Sequence, residues 1–456
     1  MSIRAPVRPK ARSFVEAVQT FKSGQQSPRE FLDSCIEAID SLEPRVQAFV
    51  VTNFEAARAA VDESTARWRA GRPLSAIDGM PVGVKDIMES ADMPTGQGSP
   101  LFAGWRGGRD AAAVAALREA GAVVIGKTVT TEFALASPGK TRNPWDPQRT
   151  PGGTSSGSAA SVGAGMIPAA LGSQVAGSTI RPAGYCGCFG FKPSVGSINR
   201  GGSFDPYSAS CTTVLGATLA DTWNVAREIA LRAGGDPGYP GWSGPANPPP
   251  AATPRRVAVL QTGGWSAATE DAKAELRRAT STLERAGIAV ADRASDPTIE
   301  TVEAAIASAL PLTMDINAWE GRWPLNTYAR DMDRTRLSDF ALSRLQAGNA
   351  MTVEKYQRLL QERERVRTVH AQLRGRYDAC VTLSAPGEAP LGLHSTGDPA
   401  FATPASLLGV PALSLPVLRI HNLPLGLQII GFLNEDTAMF SMAASLLQLL
   451  QGDGRA

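Results

Sequence analysis

Apolar positions along this chain alternate between helical and strand periods. Ser27-Pro28-Arg29-Glu30 forms a capping box with Pro at the first helical position, and Phe31, Cys35, Ile36 and Ile39 follow at helical spacing. A second helical pattern covers Phe54 to Ala70 and stops at Gly71. Asp110 reads as the cap of an Ala-rich helix ending at Gly121, just before the short apolar run Val123-Val124-Ile125. Helix followed by apolar strand then recurs. Asp221 reads as the cap of a helix through Ala226 and Ile229, and Val257 to Leu260 reads as a strand. Asp378–Leu383, Ala412–Val417 and Gly426–Ile430 read as further strands, with a helix from Glu435 to Leu450. This alternation predicts an α/β architecture with a mixed central sheet covered by helices on both faces.

The expected organisation is a single domain over residues 1–456, with residues 1–75 as its N-terminal helical portion. Residues 234–254 form a Pro/Gly-rich loop or linker, with strand signals continuing on both sides. With 456 residues, 43% of them hydrophobic, the chain suits an enzyme with a large core. A net charge of +2 without a basic stripe argues against nucleic-acid partners. The basic N-terminus lacks the apolar stretch of a secretory signal, and no run of ~18 apolar residues suggests a membrane span. Five scattered Cys predict a reducing, cytoplasmic setting without disulfides, and Cys186 and Cys188 read as small packed residues rather than a redox or metal pair.

Candidate chemistry concentrates between Asn143 and Pro193. Two loops of small residues carry hydroxyls: Gly152, Gly153, Thr154 and Ser155 in the first, Ala176, Gly177 and Ser178 in the second. Such loops leave backbone N–H groups open to a bound group. A Ser-His-Asp triad needs a His, and the three present offer no supporting motif: His370 sits in a charged helix pattern where solvation explains it, and His394 and His421 sit in loop-like sequence. Neither a metal-binding motif nor a P-loop is present, so no metal and no cofactor is expected. The remaining base is Lys. Lys85 follows Val82, Gly83 and Val84, and burial among them would lower its pKa toward neutrality. A strand-end Lys paired with Asp86 or Asp78 fits the same residues.

The segments GMPVGVKD, EF after GK, NPWD, GGTSSGSA, GSQVAGSTIRPA and GFKPS, followed by PALSLP and LPLGLQIIG, resemble the amidase signature family of serine hydrolases in order and spacing, over most of the chain. The resemblance implies a Lys, a Ser preceded by a cis peptide bond, and a Ser nucleophile as the catalytic triad. Lys85 matches the Lys and Ser178 the nucleophile. The relay register falls on Thr154, 24 residues before Ser178, with Ser155 as the alternative. By the same resemblance the N–H groups of Val175, Ala176, Gly177 and Ser178 form an oxyanion hole. Gln174 and Ala176 depart from the family's commoner Asp and Gly. Arg181 matches an Arg that contacts a substrate carboxylate in malonamidase-like members; satisfying loop carbonyls is its other reading.

Residues 310–351 fall where the family varies its substrate pocket. Trp319, Trp323, Tyr328 and Met332 there suggest an apolar acyl or aryl pocket, or ordinary core, with Gly321 and Pro324 interrupting any helix. The expected partner is a small amide or carbamate (urethane), with a homodimer as the assembly in view. Two alternatives remain. The glutaminase subunit of a tRNA-dependent amidotransferase carries an Asp for the glutamine amine near its TxP segment, where this chain has Pro399 or Ala400, with Asp398 adjacent. The other is a catalytically silent binding protein on the same fold.

Overall fold

The computed structural model describes residues 9–452, so the first eight residues of the basic N-terminal segment lie outside the described part. Eleven strands form one sheet: β1 Phe49–Thr52, β2 Pro81–Lys85, β3 Val123–Thr128, β4 Ala169–Gln174, β5 Phe189–Lys192, β6 Cys211–Gly216, β7 Arg256–Val259, β8 Ala289–Ala291, β9 Ala379–Leu383, β10 Ala412–Ile420 and β11 Leu423–Ile430. Their spatial order is β1-β3-β2-β4-β6-β5-β10-β11-β9-β7-β8. The segment β3-β2-β4 is parallel, as is β9-β7-β8, and antiparallel pairs join the two. The sheet is mixed, as the alternation of patterns predicts.

Period-two alternation directs side chains to two apolar layers. Val82, Val84, Val124, Leu171 and Val214 point into one, beneath Val114 and Leu117 of the helix Ala112–Glu119 and Ile229 of the helix Leu219–Ala233. Val123, Ile125, Ala170 and Leu215 point into the other, with Leu32, Ile36 and Ile39 of the helix Pro28–Val46 and Val61 of the helix Phe54–Arg69. Strands buried on both faces carry near-continuous apolar runs, which is why Val123–Ile125 and Ala412–Leu415 are legible as strands. Among the described residues no helix is long and apolar enough to cross a membrane.

Several local expectations change. The capping box at Ser27 and Glu30 forms. Asp110 does not cap the Ala-rich helix, whose N-cap is Ala111; its carboxylate instead accepts from Ala91 N at 2.8 Å and pairs with Arg118 at 3.0 Å. Thr218, not Asp221, caps the helix Leu219–Ala233, and the Asp221 carboxylate accepts from Phe14 N and Val15 N at 3.1 and 2.9 Å. His370 is buried rather than solvated, because its helix turns that face onto Phe432 at 5.5 Å; desolvation lowers its pKa to about 4. Residues 234–254 contain no helix or strand, yet Trp242 within them packs edge-on against Trp223 at 4.9 Å.

Candidate active site

Lys85 ends β2, which has a parallel neighbour on either side. The crevice beyond the carboxyl ends of parallel strands is the common ligand site of α/β sheets. Gly83 is required two residues earlier, since a Cβ there would stand 2.8 Å from Thr128 Cγ2 and 3.0 Å from Ile167 Cδ1. The ion-pair reading of Lys85 fails: Asp86 pairs with Lys127 at 3.1 Å, and Asp78 with Arg67 at 2.7 Å. Lys85 is fully buried and reaches two hydroxyls instead, Thr154 Oγ1 at 2.6 Å and Ser173 Oγ at 2.9 Å. Burial lowers its pKa from 10.5 to about 7, with Asp205 pulling the other way. An amine of that pKa is shared between protonated and free forms near neutral pH.

Thr154 reaches Lys85 through a turn of two glycines. Gly152 and Gly153 take φ of +79° and +61°, which side chains rarely adopt. At Gly153 a Cβ would also meet Pro182 Cδ at 2.6 Å and the Ser178 carbonyl at 2.8 Å. The cis bond that the resemblance implies before the relay is absent: among the described residues the only cis peptide is Trp323–Pro324. The tandem left-handed glycines turn the chain there with a trans bond. Ser155 faces elsewhere. Its Oγ donates to Ser173 O and accepts from Ser173 N, both at 3.2 Å.

The second loop leaves β4 and enters the helix Ile180–Cys186. Gln174 organises it: Oε1 accepts from Thr179 N and Ile180 N at 2.9 Å each, and Nε2 donates to Ser406 Oγ at 3.1 Å. Ser406 Oγ in turn donates to Ala176 O at 3.0 Å. An amide here both accepts and donates, which the family's commoner Asp could not do. Among the described residues, the N–H groups of Val175, Ala176, Gly177 and Ser178 donate none of the loop, turn or side-chain hydrogen bonds.

Thr154, Val175, Ala176, Gly177, Ser178 and Arg181 line one cavity of about 150 Å³. The Arg181 guanidinium is buried; Nε and Nη2 donate to Thr396 O and Oγ1 at 2.7 and 3.1 Å, while Nη1 has no partner. Arg181 thus satisfies a loop carbonyl and borders the cavity, with Nη1 unpartnered. Cys186 and Cys188 are buried, with their thiols pushed up by desolvation.

The aromatic expectation for the pocket is corrected. Residues 310–351 do wall the cavity, but through Met314, Asn317, Ala318, Gly321, Leu325, Phe340 and Arg344. Trp319 stacks on Tyr356 at 5.2 Å in an outer groove, and Trp323 beside it is 67% exposed. Tyr328 packs between Phe102 and Phe133 at 5.0 and 5.2 Å. Met332 is 37% exposed and also stands outside the cavity. The segment does break near Gly321 and Pro324, with Trp323 non-helical.

Sequence reasoning passed over Ser173, Asn317 and Arg344. Ser173 is five residues before Ser178 and at the end of a strand, so its position beside Lys85 follows from the β2–β4 register alone. Asn317 and Arg344 sit on different helices, and no spacing in the sequence joins them.

Known proteins share this chain's sequence family and its fold. A family model described as Amidase matches residues 30–440. A glutamyl-tRNA(Gln) amidotransferase subunit of Chloroflexus aggregans (strain MD-66 / DSM 9485) is 33% identical, over 90% of each chain. Its namesake from Symbiobacterium thermophilum is 30% identical, over 93% of each. Among solved structures, an amidase superposes with a TM-score of 0.82 at 26% identity, covering 96% of this chain and 99% of its own. The peptide amidase PAM in complex with the competitive inhibitor chymostatin superposes at 0.77 with 25% identity, over 96% and 97%.

Proposed function

The chain belongs to the Amidase family, and we propose that it cleaves the C–N bond of small amides through an acyl-enzyme on Ser178, and carbamates through a carbamoyl-enzyme on the same Ser178 formed as their ester C–O bond breaks and the alcohol leaves. Lys85 in its neutral form is the base and Thr154 the relay. The Ser178 hydroxyl proton passes to Thr154 Oγ1 as the Thr154 proton passes to Lys85 Nζ, and Ser178 Oγ bonds to the carbonyl carbon. The N–H groups of residues 175–178 receive the oxyanion, each such donor contributing about 3–4 kcal/mol in the transition state. As the C–N bond breaks, Thr154 returns a proton to the leaving nitrogen and recovers one from Lys85. Water then attacks the acyl-enzyme by the same path. A carbamate presents a carbonyl beside nitrogen in the same way, so one site serves both.

The observation that carries this reading is the fully buried Lys85, with an amine lowered to about 7 and held 2.6 Å from the Thr154 hydroxyl. Hydrolysis of an anilide and an aryl carbamate by the purified chain alone tests it. Loss of that activity in Ser178→Ala is expected, and retention there would overturn it.

The relatives named for an amidotransferase keep the glutaminase reading in view. Against it, among the described residues no Asp or Glu lines the cavity, and Pro399 stands on its wall. Asp398 lies outside that lining and accepts from Ala400 N at 2.8 Å. The α-amine of glutamine would meet two guanidiniums on that lining, with Asp398 behind Arg181 and no acid on the wall among the described residues. A panel with glutamine beside anilides decides between the two readings.

A further inference from the structure

Asp205 is a buried carboxylate, 4% exposed, and among the described residues it makes no ion pair. Two hydroxyls hold it instead: Ser203 Oγ donates to Oδ1 at 2.7 Å, and Ser210 Oγ donates to Oδ2. The chain brings it toward Lys85 from two sides. Just past the end of β2, Met88 and Ser203 form an antiparallel bridge, and Phe204 N donates to Ile87 O at 2.9 Å. Asp205 therefore follows directly on the segment paired with the residues after Lys85. On the other side, Ser210 stands two residues before Thr212, the register partner of Ser173 on β4. Ser173 Oγ in turn accepts from Lys85 Nζ at 2.9 Å. The carboxylate is thus fixed between the strand that ends at Lys85 and the strand beside Ser173.

The other charged groups in this region have partners of their own. Arg200 acts on Asp205, but its Nε pairs with Asp236 at 2.7 Å, and its Nη1 donates to the carbonyls of Asp205 and Tyr207 at 3.3 and 2.9 Å. Asp86, next to Lys85, pairs with Lys127, on which Glu89 and Asp92 also act. Arg181 on the cavity wall is acted on by Asp398. Tyr207 and Cys211, the other ionisable neighbours of Asp205, are held neutral by burial. Asp205 is the charged group that acts on Lys85, favouring the ammonium against desolvation.

A catalytic amine has to work in both forms. It is free when it takes the Ser178 proton through Thr154, and protonated when it returns one to the leaving nitrogen. Resting on that reading of Lys85, we propose that Asp205 is a positioning residue of the reaction: its carboxylate is the counter-charge of the Lys85 ammonium and sustains the form that protonates the leaving group. Asp205 does not border the cavity, so it acts through Lys85 and not on the substrate.

The test compares kcat/KM for 4-nitroacetanilide across pH in wild type and Asp205→Asn. Asn keeps an acceptor for the serine hydroxyls and removes the charge. The midpoint of the rise, about 7 in wild type, should fall by about one pH unit in Asp205→Asn, because an ammonium without its counter-charge gives up its proton sooner. Ser203→Ala keeps the carboxylate but loses one of its hydrogen bonds. It should lower the melting temperature and leave the midpoint in place. A less stable Asp205→Asn with an unmoved midpoint would overturn the proposal, since a merely structural carboxylate does that. A midpoint that moves equally in Ser203→Ala would overturn it too. If Asp205→Asn does not fold, two double variants replace it: Asp205→Ser/Ser210→Asp and Asp205→Ser/Ser210→Asn. They exchange the ends of one hydrogen bond and differ from each other only in charge. The midpoint should lie higher in the charged member, and equal midpoints would overturn the proposal.

If no protein of the set, wild type included, hydrolyses the anilide, the amide-cleavage reading fails and melting curves at about pH 6 still decide this one. Lys85→Met removes a buried ammonium there, and its gain in melting temperature should be larger in the Asp205→Asn background than in wild type. Equal gains would overturn the pairing.

Discussion

Ser155 Oγ and the main chain of Ser173 exchange two hydrogen bonds, Oγ to the Ser173 carbonyl and Ser173 N back to Oγ, both 3.2 Å long. The pair ties the turn carrying Thr154 to the end of β4 and holds Ser173 beside Lys85. Ser155 is thus occupied in structure, which supports Thr154 as the proposed relay. Ser155→Ala is expected to cost about 1–3 kcal/mol of stability, because Ser173 N loses the Ser155 Oγ acceptor, while Ser173 O keeps the Thr179 hydroxyl at 3.3 Å. Anilide turnover should fall only severalfold. Thr154→Ser should keep comparable activity, and Thr154→Val should lose about a hundredfold or more, since the proton path needs the hydroxyl. Chemical denaturation beside steady-state kinetics checks the set. Severe loss in Ser155→Ala with mild loss in Thr154→Val would exchange the two roles.

The pH profile follows from Lys85. The base must be neutral, so kcat/KM should rise with pH through about 7 and level off above. Stability carries the same signature. Unfolding returns the amine to its ordinary range near 10.5, so the folded state binds fewer protons between about 7 and 10 and wild-type stability gains with pH there. Lys85→Met removes this linkage. Its melting temperature relative to wild type should be highest below pH 7 and decline toward pH 10. A gap between the two proteins that does not vary with pH would contradict the buried neutral amine.

Gly153 cannot be replaced cheaply. Gly153→Ala puts a Cβ 2.6 Å from Pro182 Cδ and 2.8 Å from the Ser178 carbonyl, at a φ of +61°. The left-handed conformation alone costs about 1–2 kcal/mol, and overpacking about 1–3 more. Relief of the clash would move the relay and nucleophile loops apart. A lower melting temperature together with lost turnover is expected; a fully active, equally stable variant would show that the turn is less constrained than described.

The cavity and the outer groove should separate by mutation. Ala318 borders the cavity, so Ala318→Phe should raise KM for anilides about tenfold by filling it. Trp323→Ala, at a side chain 67% exposed in the outer groove, should change KM less than threefold, about 0.6 kcal/mol at most. Substrate saturation curves distinguish them. A larger effect at Trp323 would bring the indoles back into the binding site.

Much of this site was legible in the sequence, and the limits are physical. The strand ending at Lys85 and the two glycine-hydroxyl loops are local patterns, and the ordered set of motifs identified the family. The helix caps at Asp110 and Asp221 misled because a carboxylate near a helix start also suits another partner, here Arg118 and the Phe14–Val15 backbone. The aromatic segment misled for a related reason. Trp319, Trp323 and Tyr328 mark apolar contact but not its side; the two indoles border an outer groove, with Trp319 stacked on Tyr356, and Tyr328 packs between Phe102 and Phe133. Strand order, and with it the meeting of Lys85 with Ser173 or of Asn317 with Arg344, is set by pairing between distant segments that no local period encodes.

The central claim is a covalent intermediate on Ser178 formed with the help of Lys85. Intact-mass spectrometry after brief exposure to a 4-nitrophenyl N-alkylcarbamate, followed by peptide mapping, tests it most directly. A single carbamoyl adduct on the peptide carrying Ser178 is predicted, forming faster as pH rises through about 7 and absent in Lys85→Met and Ser178→Ala. An adduct on Thr154 or Ser155, or one that forms equally fast without Lys85, would contradict the account.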